Sequence, residues 1–278
     1  MEDSFMDDRK SARRFELAEN SVARSRLDNF RDGLKRFQQQ HTEILGATVF
    51  GSMIKGEVAR AESDVDAFLY IDFDALTEED KKKDAKDVEN KFRSGLLKEL
   101  GVVSEDEAHE FYHDLVPKLL SKEILDSNIQ ANIDYEVTND VIREKRRNLD
   151  TSSMTEDEID KLYSEEPENQ PLDNLQIGGM FHARVGSGIE KYRKLFLEKL
   201  VALPNREMAE KIWMGVYAQI VTMEAGDKKR IVPRTLEDAL QTYHPELTKN
   251  IAQKKEEKRI DEIRDHLGRL YDDQTQNS

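Results

Sequence analysis

Thr48-Val-Phe-Gly-Ser-Met-Ile-Lys-Gly-Glu-Val-Ala-Arg-Ala-Glu-Ser-Asp-Val-Asp-Ala-Phe-Leu-Tyr-Ile71 decides the fold. An apolar strand runs into a tight turn at Gly51-Ser52, a brief helix follows, and a second strand begins on Ser63-Asp64-Val65-Asp66. Side chains alternate between the two faces of a strand, so Asp64 and Asp66 share a face, about 6 to 7 Å apart along it. Mg²⁺ takes hard oxygen donors, commonly one or two carboxylates with the phosphates of a substrate, and a pair spaced this way suits it. Just upstream, a helix opened by Gly51-Ser52 offers unpaired amides and the positive end of its dipole to an anion. The competing reading is an ordinary turn beside a chance acidic pair. Against it, Val65, Ala67, Leu69 and Ile71 bury the strand's other face, and two acids held together there call for a cation.

Phe50-Gly51-Ser52, a spacer and Asp64-Val65-Asp66, with Gly56 and Ser63 as further small residues, resemble the signature of the nucleotidyltransferase superfamily, whose catalytic domain is a DNA polymerase β-like palm. Lys55 stands where the family usually has arginine, which keeps a cation and loses a bidentate fork. The resemblance spans about two dozen residues. It implies an α+β fold in which a nucleotidyltransferase palm, a small mixed β-sheet flanked by helices, is followed by a C-terminal helical bundle. It also implies two Mg²⁺ ions on Asp64 and Asp66, a nucleoside triphosphate held by Gly51, Ser52, Lys55 and Ser63, with Arg60 as a further cation, and a third carboxylate on a later, adjacent strand.

Composition narrows the partners. The 278 residues carry a net charge of −15, with 36 % charged and 37 % apolar residues. Such a surface repels a nucleic-acid backbone and admits a small polar molecule or a protein more easily. The absence of cysteine excludes a disulfide framework, a cysteine zinc site and a thiol nucleophile. The acidic start Met1-Glu-Asp-Ser-Phe-Met-Asp-Asp lacks the apolar run of a signal peptide, and no window approaches the ~20 apolar residues of a membrane span. A cytoplasmic protein is expected.

Along the chain, Phe15, Ala18, Val22, Leu27, Phe30, Leu34 and Phe37 predict amphipathic helix over residues 9–40. Its interspersed arginines read as a solvated face. Asp72-Phe-Asp74 repeats the acidic spacing but lacks a glycine turn, and Thr77 to Asp80 reads as a helix start. Residues 77–125 are expected to be mainly helical, with Gly101 as a stop and Phe111, Leu115, Leu119 and Leu120 on a helix around Pro117. His109 and His113 stand four apart with no third ligand beside them. Ile129, Ala131, Ile133, Tyr135 and Val137 alternate with polar residues, which predicts a strand over 128–137. On that strand Asp134 is the best-placed third acid, with Asp126 and Glu136 as rivals. Arg143, Lys145, Arg146 and Arg147 read as neutralising their acidic surroundings.

Acidic, proline-bearing residues 151–174 mark a linker or loop between a catalytic domain at 1–150 and a helical bundle at 175–278, with a turn of helix at Glu156 to Tyr163. Helices are predicted from Ile189 to Leu200, from Met208 to Met223, after a Thr235 cap, and from Ile251 to Tyr271. Trp213 and its methionine neighbours read as core.

The resemblance implies transfer of a nucleoside monophosphate from an NTP, with ATP the expected donor, to a hydroxyl of a small molecule or protein. Asp134 would receive the acceptor proton, and pyrophosphate would leave. Palm plus bundle also looks like aminoglycoside adenylyltransferases and the nucleotidyltransferases of toxin–antitoxin pairs, in which the acceptor lies between the domains; Glu190, Glu207 and Glu224 are candidate acceptor ligands. A non-catalytic nucleotide- or partner-binding regulator and an RNA terminal nucleotidyltransferase are the alternatives. Base preference, acceptor and oligomeric state are not encoded legibly.

Overall fold

The computed structural model describes residues 21–54, 59–148, 154–163, 174–182, 188–223 and 232–248. It is an α+β protein with one small mixed sheet and mostly helices. The chain divides into two compact units, Met1–Val232 and Pro233–Ser278. The helix after residues 151–174 is bonded to the sheet within the first unit.

Helix α1 (Ser21–Gln40) buries Ala23, Leu27, Phe30, Leu34 and Phe37, the spacing of one face of a helix. Strand β1 (Ile44–Phe50) leads from it to the glycine turn, and β2 (Asp66–Asp72) returns antiparallel, Phe50 opposite Asp66. Helix α2 (Ala85–Glu99) begins on Asp84, whose carboxylate accepts from the Lys86 amide. It stops at Gly101, whose φ of 80° lets Gly101 and Val102 donate back to the carbonyls of Lys98 and Leu97. Helix α3 (Glu105–Tyr112) is capped by the Ser104 hydroxyl.

The chain then departs from expectation. Leu115–Leu120 is not helical: it is strand β3, parallel to β2 with Ala67 opposite Leu115. Conversely the predicted strand at 128–137 lies inside helix α4 (Lys122–Asn148). Leu115, Leu119 and Leu120 carry a helical spacing, yet they lie in a strand at the edge of the order β1-β2-β3, where Pro117 is tolerated. In α4 the alternation of apolar residues is incidental. Burial follows Leu125, Asn128, Ile129 and Asn132, at helical steps, while Val137 and Val141 are exposed.

Both faces of β2 are covered. Ala67, Leu69 and Ile71 join the core made with α1 and α2. On the opposite face Tyr70 donates to the Gln176 carbonyl at 2.9 Å and Thr48 of β1 to the Gly179 carbonyl at 2.7 Å, both carbonyls on α6 (Asn174–Phe181). A Cβ on Gly179 would lie 2.2 Å from the Tyr70 hydroxyl, so only glycine permits this approach. Helix α5 (Glu156–Tyr163) falls where a turn of helix was read. Helices α7 (Ile189–Ala202) and α8 (Arg206–Met223) match their predicted spans. Trp213 is fully buried and meets the Phe181 ring edge-on at 5.1 Å. Asn132 of α4 and Asn174 of α6 exchange amide hydrogen bonds at 2.9 and 3.0 Å, and Lys199 and Lys211 pair with Asp126 and Asp140 of α4.

In the second unit, the Thr235 hydroxyl accepts from the Asp238 amide and starts α9 (Leu236–Tyr243), as read from the sequence. The helix expected from Ile251 lies outside the described residues, as do residues 9–20 of the first. Among the described residues no helix is long and apolar enough to cross a membrane.

Candidate metal centre

The candidate centre forms where β1 ends and where β2 and β3 begin. Gly51 follows the Phe50–Asp66 pair directly and turns the chain with φ 75°, a conformation costly for residues with a Cβ. Space gives a second reason for glycine: a Cβ there would lie 1.5 Å from Asp66 Oδ2 and 2.6 Å from its Cγ. The carboxylate of Asp66 thus occupies the room that the missing side chain leaves.

Among the described residues Ser52 opens a 3-10 turn, Ser52–Ile54. The Gly51 turn and the first turn after it are the described part of the expected anion seat. Lys55 and Gly56 lie outside the described residues. Ser63 closes the turn before the acids: its amide donates to the Arg60 carbonyl at 3.1 Å, and its hydroxyl accepts from the Arg60 amide at 2.9 Å.

Asp64 precedes β2 and Asp66 is its first residue, with Val65 fully buried between them. The alternation read from the sequence therefore holds: both acids are half-buried while Val65 turns inward. The Val65 amide donates to the Phe111 carbonyl at 2.8 Å and the Ala67 amide to the Asp114 carbonyl at 3.0 Å, so the start of β2 is laced to the approach to β3. Asp114 is thereby brought beside the pair. Asp64, Asp66 and Asp114 each offer an oxygen within 4.8 Å of the others, a group that could hold a metal ion. His113 Nδ1 lies 2.8 Å from Asp114 Oδ1.

Unit charges at that separation repel by roughly 1 to 4 kcal/mol per pair between the limits of water and a protein surface. Asp114 is exposed, which favours the lower end for its pairs. A divalent cation offsets the repulsion, and three carboxylate oxygens are the donor set that hard cations select. The donors therefore fit a magnesium-like ion.

Asp134 is not part of this group. It lies exposed on α4, accepting from the Gln130 amide at 2.9 Å. Of its rivals, Asp126 pairs with Lys199 and Glu136 is also on α4. The third acid is Asp114, which the sequence reading missed because the six residues after it were read as helix. Its available signal was position: an acid directly before a short, dense apolar run, as Asp64-Val65-Asp66 precedes its own.

Asp72 and Asp74 both face the Tyr192 hydroxyl. At the far end of β2 from the triad, Asp72 accepts from the Tyr192 hydroxyl at 2.6 Å and pairs with Lys191 at 3.1 Å. Burial, then the facing Asp72, holds the Tyr192 hydroxyl far above its ordinary pKa, so it remains a donor. Glu190 and Glu207 pair with Arg193 and Lys211, and Glu224 lies outside the described residues.

Beside Asp66 the sheet face carries Phe50, half-buried and packed on Phe68 with ring centres 4.8 Å apart. Lys118 of β3 lies 5.8 Å from the Phe68 ring centre. Acids, glycine corner and the Phe50–Phe68 pair are thus grouped at one end of the sheet, while Lys118 stands opposite Tyr70, further along β2. Compared with protein-family models, curated proteins and solved structures, the chain matches none.

Proposed function

We propose that this chain is a Mg²⁺-dependent nucleotidyltransferase that moves a nucleoside monophosphate from an NTP, with ATP the expected donor, to a hydroxyl of a small molecule or a protein. The observation that carries the reading is the meeting of Asp64, Asp66 and Asp114, from the starts of two parallel strands, beside a glycine whose missing Cβ makes room for Asp66. A chance acidic pair accounts for neither the third acid nor the glycine fit.

Asp64, Asp66 and Asp114 would hold one or two ions. Mg²⁺ bound there neutralises polyphosphate charge and makes an acceptor hydroxyl easier to deprotonate. The Gly51-Ser52 turn would offer backbone amides to phosphate oxygens beside Asp66, and Lys118 adds a cation on the sheet face that carries Phe68. In the transfer the acceptor oxygen bonds to the α-phosphorus, the bond to the bridging oxygen of pyrophosphate breaks, and the hydroxyl proton passes to a carboxylate oxygen of Asp114. Asp114 suits that role as the exposed member of the three. The net charge of −15 favours a neutral or cationic acceptor over a nucleic acid.

The test is turnover of α-labelled ATP, CTP, GTP and UTP by the full chain with Mg²⁺, scoring label on any acceptor, water and the chain itself included. Asp64→Ala, Asp66→Ala and Asp114→Ala each reduce turnover at least about a thousandfold, and Asp134→Ala leaves it intact. Turnover that survives the first three substitutions, or metal-dependent NTP binding with no product, overturns the assignment; the second outcome describes a regulator.

A further inference from the structure

Two arginines outside the acid cluster grip the two segments that deliver it. Arg26 on α1 donates through Nη2 to the Ala61 carbonyl at 3.0 Å and through Nη1 to the Ser63 carbonyl, immediately before Asp64. The same guanidinium lies flat enough to bring its central carbon 3.8 Å from the centre of the Phe111 ring. Phe111 is in turn the residue whose carbonyl receives the Val65 amide, and it stands three residues before Asp114. Arg93 on α2 holds the other side: Nε donates to the Leu115 carbonyl at 3.1 Å and Nη2 to the Tyr112 carbonyl at 2.9 Å, one on each side of Asp114.

We infer that Arg26 and Arg93 are positioning residues that set the separation of the three carboxylates by clamping the backbone on either side of them. The inference rests on the triad being a cation site. Both clamps use what only arginine supplies: a planar fork of donors that reaches two carbonyls at once and, for Arg26, a face that stacks on an aromatic ring. Asp64 precedes the strand and Asp114 stands just before β3, so sheet ladder bonds alone leave both acids at the ends of loops. The clamps add a second restraint to the Val65–Phe111 and Ala67–Asp114 backbone bonds. Arg26 spans both acid-bearing segments, so one side chain reinforces the backbone bonds that set the distance between Asp64 and Asp114. Among the described residues both forks end on backbone carbonyls.

Mn²⁺, read by the disappearance of its free electron-paramagnetic signal, tests this on the full chain without recourse to turnover. Wild type binds the ion and Asp66→Asn does not. Arg26→Ala and Arg93→Ala lower the affinity about tenfold or more and broaden the spectrum of the bound ion. Arg26→Lys and Arg93→Lys, which keep charge and stem but not the fork, also bind weakly, and they supply the answer should an alanine variant fail to fold. Millimolar guanidinium, but not ammonium, restores part of the affinity of Arg26→Ala. Arg193→Ala is the control: it removes a guanidinium that grips the Met180 carbonyl at 2.6 and 3.1 Å, away from the acids, and leaves Mn²⁺ affinity within twofold even as Tm falls. Unchanged affinity in the Arg26 and Arg93 variants, or an equal loss in Arg193→Ala, overturns the positioning role and leaves the metal site standing. Wild type that binds no Mn²⁺ sensitive to Asp66→Asn overturns both.

Discussion

Gly51 meets two demands at one position. Its φ of 75° lies where a side chain is strained, and the volume a Cβ would fill is occupied by Asp66 Oδ2. Gly51→Ala must shift the turn or the carboxylate, at a cost of about 1 to 3 kcal/mol. Urea unfolding should record that loss, and Mn²⁺ affinity should fall with it. Gly101 offers the contrast. Its φ is 80° but nothing lies within 4 Å of the place for a Cβ, so Gly101→Ala should carry the backbone penalty alone and leave Mn²⁺ affinity unaltered. The sequence disclosed Gly51, Asp64 and Asp66 because their signal is local, a turn and a two-residue alternation. Asp114 owes its place to the pairing of strands some fifty residues apart, which local spacing does not carry.

Elements were legible where one periodicity acted alone. The spans of α7 and α8 and the cap of α9 followed from apolar spacing and a threonine with an acid three residues on. The third strand was placed one element too late because two local cues were reversed. Pro117 sits in a true strand at the sheet edge, and α4 combines accidental alternation with buried asparagines that interrupt its apolar face. Those asparagines join α4 to α6, since Asn132 donates to Asn174 Oδ1 and accepts from Asn174 Nδ2. Asn132→Ala should therefore destabilise by about 1 to 3 kcal/mol, because Asn174 loses both its partners while buried. Denaturant titration checks the figure. Tyr192→Phe acts likewise at the other end of the sheet: Asp72 keeps Lys191 but loses its 2.6 Å donor, and a destabilisation of similar size is expected, about 1 to 3 kcal/mol.

For the whole molecule, acid is the sensitive direction. Lys91 first, then Lys83, hold the Asp80 carboxyl well below the ordinary range, and Lys211 does the same for Asp140. A carboxyl depressed in the folded state stabilises fully above its unfolded pKa, near 4, and that contribution disappears as pH falls towards the folded value. Stability should accordingly decline from about pH 4 downwards, and Asp80→Asn should flatten the decline; urea midpoints at successive pH values measure both. Glu89 works in the opposite sense. Burial raises its pKa, so its ionisation costs stability as pH rises past the ordinary glutamate value. The net charge of −15 adds mutual repulsion at neutral pH, which salt screens.

The edge strand carries one more consequence. Pro117 has no amide hydrogen and Lys118 brings a charge to the neighbouring position, so the outer rim of β3 is a poor template for another chain. A fourth strand from a second copy would meet a gap in its ladder at Pro117 and find the Leu115 and Leu119 carbonyls already accepting from Arg93 and Gln176. Self-association through that rim, whether by swapped strands or by fibril growth, is thereby discouraged.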